Sequence, residues 1–396
     1  MISETLGYAN FKCDRPVNTP DTSRQVIIVG AGPSGAMAAW KLAQAGCDVV
    51  ILDAKTFPRP KPCAGWITRT ALHSMELNET TYPHLLVPIT RVAIGLEEGL
   101  HITAWPRPVS YGILRHELDD FLLQRAKAAG AKVYLGQRVD RVEFLKDAVS
   151  LSVGTSRIQG ELVIGAGGAT CPVARASQGK DLWKQRTMVC SQMSETRIGM
   201  ERLQGSGLDT GLPVLFPEPE CDGYAWYFTK GDFLNIGVGA LKTGPGIPFR
   251  RHRFLERLRR DGILPPSWTL APFTGHSYAV WRGLRHDLTG RHHLLVGDAA
   301  GLARDFSGEG IGMAVQSGSL AASYGIAKLA GHNNLTNYTQ EIARIHGTGL
   351  LSKIGTMMEK IPLSLRRPLI NGFCRAPWLR RRVIMEGIFL AGCDTP

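Results

Sequence analysis

The 396 residues carry a formal net charge of +12 and are 44% hydrophobic, which excludes an intrinsically disordered chain and is too long for a single core. The eight cysteines include no Cys-x-x-Cys pair, and no histidine pair stands at zinc spacing. A disulfide framework and a metal site are therefore not indicated, and a reducing cytoplasm is the expected setting. No run approaches the ~20 apolar residues of a spanning helix.

Residues 1–24 mix charged and polar groups without an apolar core, which predicts a flexible extension and no secretory signal. From Gln25 to Asp53 the chain reads QVIIVGAGPSGAMAAWKLAQAGCDVVILD: strand, glycine-rich turn, Ala-rich helix and second strand. This is the pattern of a dinucleotide-binding βαβ unit. Gly30 permits the tight turn, Gly32 lets the backbone approach a pyrophosphate, and Gly35 lets the helix pack on the sheet. Pro33 and Ser34 open the helix, whose amides and dipole stabilise the diphosphate without a basic side chain. Asp53, closing the second strand, is placed to accept hydrogen bonds from a ribose diol. The bland alternative is a tight turn without ligand.

Next comes a proline-punctuated loop with Pro58, Pro60, Lys61, Pro62 and Cys63. Such loops carry function more often than packing, and cationic Lys61 favours ionisation of Cys63, a candidate proton donor, redox partner or cofactor neighbour. The alternative is a small residue that permits close approach. ITRVAIGLEEGLHITAW and the segment from Met188 to Tyr278 alternate like antiparallel strands, with turn punctuation at PEPE and TGPGIP. Between them, YGILRHELDDFLLQRAKAAGAKV predicts strand, helix and strand, with Arg115 at the helix start. Tyr224 and Trp226 lie two apart on a strand, share a face and form either an apolar ligand wall or a buried pair. A second apolar strand ends in Gly297-Asp298, and a glycine-rich turn opens a helix near Gly310 and Ile311.

Basic residues concentrate in Phe249–Arg260 and in the helical tail, which carries Arg366, Arg367, Arg375 and Arg380–Arg382. No nucleic-acid fold accompanies them, so an anionic membrane surface is the better candidate partner. In the tail, Leu350, Ile354, Met357 and Ile361 repeat at helical spacing, which suits peripheral membrane contact or packing onto the first domain.

With both glycine-rich segments in place the chain resembles FAD-dependent oxidoreductases. The resemblance puts Asp298 on the FAD ribitol, aims the helix at Gly310 and Ile311 toward the pyrimidine end of the isoalloxazine, and makes Arg115 a cofactor contact. A helix N-terminus there stabilises the negative charge of reduced flavin. Gly167 stands where the group's Gly-Ala-Asp-Gly motif has aspartate. More closely, the chain resembles the geranylgeranyl reductase family, whose Lys-x-Cys-Gly-Gly becomes Lys61-Pro62-Cys63-Ala64-Gly65 followed by Trp66. The family's Tyr-x-Trp-x-Phe-Pro becomes Tyr224, Trp226 and Phe228, with Thr229 replacing proline. Asn-Ile-Gly-Val-Gly and Gly-Glu-Gly also match.

The resemblance implies an α/β fold: an FAD-binding Rossmann-type parallel sheet with an inserted antiparallel substrate domain and a helical C-terminal tail. The expected division is an FAD-binding domain of 25–74, 111–181 and 290–330, a substrate domain of 75–110 and 182–289, and a C-terminal region of 331–396. The implied activity is reduction of carbon–carbon double bonds in an isoprenoid or other extended apolar substrate, with Cys63, Tyr224 and Trp226 as catalytic candidates. NAD(P)H or ferredoxin is the expected electron donor. A flavin monooxygenase is the alternative; its halogenase subtype is disfavoured because no Trp-x-Trp motif is present. A non-enzymatic, membrane-associated flavoprotein is the third reading.

Overall fold

In a computed structural model of the protein, residues 23–184, 186–241, 246–283, 287–332, 335–346, 357–358 and 360–389 are described. The expected N-terminal extension, except its last two residues, and Leu350 and Ile354 of the tail pattern lie outside them. The fold is α/β, with a Rossmann-type parallel sheet, an inserted antiparallel sheet and a helical C-terminal region.

The parallel sheet runs in the order His293–Leu295, Ser156–Gly165, Ser23–Val29, Val49–Asp53, Lys132–Leu135. Its inner strands are continuous apolar runs because both faces are covered: Val26–Val29, Val49–Leu52 and Leu162–Ile164 are all buried. Helix Pro33–Gln44 packs between helices Arg115–Ala128 and Ile311–Leu329. The fit against the latter is close enough that a Cβ on Gly318 would collide with the Ser34 carbonyl. The first half of Ser156–Gly165 turns away to pair antiparallel with Val149–Val153.

The second sheet has seven strands among the described residues, running from Thr274–Ala279 through Met188–Arg197, Phe233–Leu241, Gly223–Lys230 and Val214–Pro217 to Arg91–Leu96 and Gly99–Ala104. It is antiparallel except where Val214–Pro217 meets Arg91–Leu96. The expected alternation fails in the latter strand, where Val92 to Leu96 are all buried. Both faces are covered: Ala93 joins the cluster under helix Ile247–Arg260, while Val92, Ile94 and Leu96 join a cluster under the tail.

The basic helix Ile247–Arg260 is not an open cationic face. Arg250 is completely buried and paired with Asp222 at 2.7 and 2.9 Å and with Glu218 at 3.2 Å. Arg253 bonds Glu220 at 2.9 and 3.0 Å and Glu218, so the Pro-Glu-Pro-Glu loop neutralises the middle of the helix from within. Its apolar stripe, Phe254 and Leu258, packs into the sheet.

The tail divides. Helix Tyr338–His346 packs on the parallel-sheet body, with the Tyr338 hydroxyl donating to Leu295 O at 2.8 Å. Helix Leu363–Arg375 and the π-helix Arg380–Phe389 lie instead on the hairpin of residues 91–104, so packing onto the first domain describes only part of the tail. Arg380 is buried, donating to Thr103 Oγ1, Ile102 O and Cys374 O at 2.8–3.0 Å. Arg380 is thus a structural anchor, buried away from any membrane surface.

Candidate active site

A cavity of about 1530 Å³ runs from the glycine-rich turn to the second sheet and on beneath the tail. At its polar end the turn is shaped by two glycines. Gly30 has φ +109°, and any Cβ there would strike Ala166 O; a Cβ on Gly35 would strike Gly30 O. Gly32 differs, since its Cβ would point into open space, no nearer than 3.7 Å to Arg59 Nη2. Its backbone therefore faces the cavity, as do Pro33 and Ser34. Gly35 packs behind them and does not line the cavity. Asp53 accepts from Ala31 N at 2.7 Å and Lys55 N at 2.8 Å, which fixes its carboxylate at the cavity wall.

Asp298 follows the late strand as expected and lines the same cavity. Burial opposes its ionisation, yet a hydrogen bond from His276 and the charges of Lys61 and Arg115 outweigh burial and hold the carboxyl below its ordinary value. The next helix begins at Ile311, with Gly310 as its cap. Amides at a helix start lack intrahelical acceptors. Glu309 takes that of Gly312 at 2.5 Å, while Gly310 and Ile311 line the cavity. Gly167 also lines it, and its lack of a side chain has a local cause: a Cβ would press on Cys171 at 3.2–3.3 Å.

The Cys63 loop crosses from the first sheet to the second and is held from below. Lys230, fully buried at the end of its strand, donates to Ala64 O at 3.0 Å and Ile113 O at 2.9 Å and pairs with Glu195. Asn235 donates to Cys63 O at 3.4 Å and Glu195 Oε1 at 3.1 Å, and accepts from Trp226 Nε1 at 2.8 Å. One buried network thus fixes the Cys63 turn relative to Trp226. Arg115 is buried in a bidentate pair with Asp119 at 2.8 and 2.9 Å, and its charge also bears on Cys63. Lys61 Nζ lies 2.9 Å from His276 Nε2, and that same nitrogen lies 3.2 Å from Asp298 Oδ2. Burial pushes the Lys61 ammonium down to about 8, with Asp298 opposing and Arg115 and Arg59 reinforcing.

Tyr224 and Trp226 share one face, with ring centroids 5.8 Å apart, and both line the cavity. The Trp226 ring lies on Gly237, directly across the ladder, where any Cβ would collide with it. That contact explains the first glycine of Asn-Ile-Gly-Val-Gly; a Cβ on the second, Gly239, would meet nothing nearer than 3.5 Å. The Tyr224 hydroxyl donates to Ser307 O at 2.5 Å, and burial pushes its pKa well up. Phe389 of the tail stacks on Trp66 at 6.1 Å and meets Tyr224 edge-on at 5.2 Å. Together with Ile370, Phe373 and Ile384 it roofs the apolar end.

All the sequence candidates except Gly35 therefore face one cavity. Sequence reasoning missed His276, Lys230, Asn235 and Phe389. His276 lies two residues before Tyr278 on a strand, and Lys230 precedes a Gly-Asp turn where a solvated lysine is the ordinary reading. Asn235 lay inside a recognised motif.

These residues fit FAD. The open side of Gly32, the oriented Asp53 carboxylate, the buried Asp298 and the helix start at Gly310 and Ile311 form a cradle that side chains would otherwise fill. An FAD-binding domain family model matches residues 23–346. Menaquinone reductase of Mycobacterium tuberculosis is 32% identical over 76% of this chain and 76% of its own length. Digeranylgeranylglycerophospholipid reductase 1 of Methanopyrus kandleri is 29% identical over 76% of this chain and 80% of its own. A geranylgeranyl bacteriochlorophyll reductase-like structure from Thermoplasma acidophilum superposes with TM-score 0.76 at 17% identity, covering 92% of this chain and 96% of that one. The chain belongs to the FAD-binding domain family and is an FAD-dependent oxidoreductase of the geranylgeranyl reductase-like kind.

Proposed function

We propose that this oxidoreductase hydrogenates carbon–carbon double bonds of an isoprenoid or similarly extended apolar substrate. The observation that carries the reading is the continuity of the cavity, which passes from the cofactor cradle into an apolar end walled by Tyr224 and Trp226 and roofed by Phe389. When bound, FAD supplies the hydride. Gly30, Gly32, Pro33, Ser34, Asp53, Asp298, Gly310 and Ile311 would hold it, with Arg115, fixed by Asp119, lining the same cavity. Trp226 and Tyr224 orient an alkene by its flat face, and the roof excludes water, which keeps the hydride from solvent. The relatives' names support this class of substrate, since they include a menaquinone reductase and a prenyl-lipid reductase.

Such a substrate is drawn from a lipid phase. The outer face of the tail exposes Trp378, Leu365, Leu363 and Leu369, with Trp378 68% and Leu365 62% accessible. Arg367 and Arg375 flank this face, although Glu97 and Glu98 partly neutralise them. Among the described residues no helix is long and apolar enough to cross a membrane. A peripheral contact made by the apolar side chains of the tail is the fitting mode.

The deciding experiment is anaerobic photoreduction of the flavoprotein followed by mixing with a prenyl lipid or with oxygen. Reoxidation by the prenyl lipid without oxygen, yielding the saturated product, supports the reductase. Oxygen-dependent reoxidation that the substrate accelerates, yielding a hydroxylated product, replaces it with the monooxygenase.

A further inference from the structure

Hydride transfer to an alkene leaves one carbon in need of a proton, and the apolar end of the cavity offers few sources. Tyr224 spends its hydroxyl on Ser307 O. Lys61 lines the cavity beside Cys63, at the junction of the cofactor cradle and the aromatic wall, whereas the neighbouring Arg59 and Arg115 are paired with Asp119 and do not release a proton. We propose that Lys61 is the proton donor of the reduction and that His276 is its positioning residue. This rests on the alkene-reductase reading given above.

In the step, one alkene carbon takes the hydride that the reduced cofactor supplies. The π pair forms the second C–H bond with a proton from the Lys61 ammonium, leaving a neutral amine that solvent reprotonates. The alkene is reduced by two electrons and the cofactor is oxidised by two. The setting favours this role. Lys61 faces His276, Asp298, Cys63, Arg59 and Arg115, and its ammonium is held down to about 8, where a proton is given up readily near neutral pH. The one nitrogen of His276 within reach of Asp298 is also the one nearest Lys61. Nδ1 of the same ring lies 3.3 Å from Lys61 Nζ, so an imidazole that donates Nε2–H to the carboxylate still offers the lysine an acceptor. His276 thus joins Lys61 to Asp298 and fixes the ammonium at the cavity wall.

Two measurements test this. The first is FAD affinity of the cofactor-free protein across pH 6–10, which needs no turnover. Protonated Lys61 adds positive charge to the cavity that takes the anionic cofactor, so parental affinity should fall as pH rises through about 8 or somewhat above. Lys61→Arg should bind FAD tightly at every pH, and Lys61→Met about tenfold more weakly and without that pH dependence. The second is turnover on a prenyl lipid. Both variants should lose about a hundredfold or more, because arginine keeps the charge yet does not release its proton. In the parent, turnover should fall on the alkaline side, and His276→Gln should move that limb to lower pH. Parental turnover in Lys61→Arg, or an unchanged alkaline limb in Lys61→Met, overturns the donor role. Identical pH dependence of FAD binding in parent and Lys61→Met overturns the placement of Lys61 beside the cofactor. A parent that reduces no alkene overturns the reductase reading itself, a result distinct from either of these.

Discussion

Gly32 and Gly35 stand three residues apart in one turn, yet a side chain at each fails for a different reason. A Cβ on Gly35 meets Gly30 O and lies 3.1 Å from Ala166 Cβ, so Gly35→Ala strains the fold itself. A side chain on Gly32 enters open space that the cofactor needs. Gly32→Val should therefore melt like the parent while losing its yellow colour; parental flavin content in this variant would sink the cradle assignment. Asp298→Ala removes one charged acceptor, which costs roughly 1.5–3 kcal/mol, or tenfold to a hundredfold in FAD affinity by equilibrium titration. An unchanged affinity would remove Asp298 from the site. At the wall, Trp226→Ala uncovers Gly237, orphans Asn235 Oδ1 and forfeits apolar contact worth up to ~3 kcal/mol. Its effect should fall mainly on substrate KM. Tyr224→Phe keeps the wall and loses only the bond to Ser307 O, so a small effect on KM and kcat is expected. A large kcat loss confined to Tyr224→Phe would make the phenol a proton donor and remove Lys61 from that role.

At the scale of elements, local patterns were readable and long-range contacts were not. The strand, turn, helix and strand from Gln25 to Asp53 announce themselves because each is specified by its own periodicity and glycines within ~30 residues. The same holds for Gly297-Asp298 and the following helix. Cys63, Tyr224 and Trp226 were legible through motifs, but what joins them was not. Lys230 and Asn235 knit the loop to the wall across strands, and a buried lysine before a turn looks in sequence like any solvated one. The tail misled in the opposite direction: Arg380 reads as part of a surface charge run, yet it is buried against Thr103. Charge therefore overstated the membrane role of the run, and apolar exposure locates the face better. Changing Trp378 and Leu365 to serine should release the protein from vesicles of anionic and prenyl lipids while preserving the flavin spectrum. Because Glu97 and Glu98 offset the flanking arginines, the binding should weaken only modestly with salt. Undiminished binding of the double variant in a flotation assay would discard this face.

Over the whole molecule, the formal charge of +12 is less available to partners than composition suggests, because its strongest basic helix is answered by the acids of residues 218–222 inside the fold. The same burial makes stability depend on pH through histidine. Burial, reinforced by His292, holds His293 down to about 4; burial, reinforced by Arg304, holds His346 down to about 3, where its ring stacks on Trp281 at 4.8 Å. Both folded values lie below the unfolded histidine value of about 6.5. The unfolded chain therefore binds more protons between roughly pH 6.5 and 4, and stability falls as pH drops through that window. Fully expressed, the shifts correspond to upper bounds of roughly 3 kcal/mol for His293 and roughly 5 kcal/mol for His346. Glu218 and Glu309, whose carboxyls burial pushes up, act in the opposite sense, so the bare melting curve mixes the two. The cleaner readout is a difference. His346→Phe keeps a ring against Trp281 and removes the titration, so the melting temperature of the cofactor-free variant should decline less steeply than the parent's from pH 6.5 to 5. Parallel declines would show that His346 takes up its proton without unfolding, and the buried neutral state assigned to it would have to be abandoned.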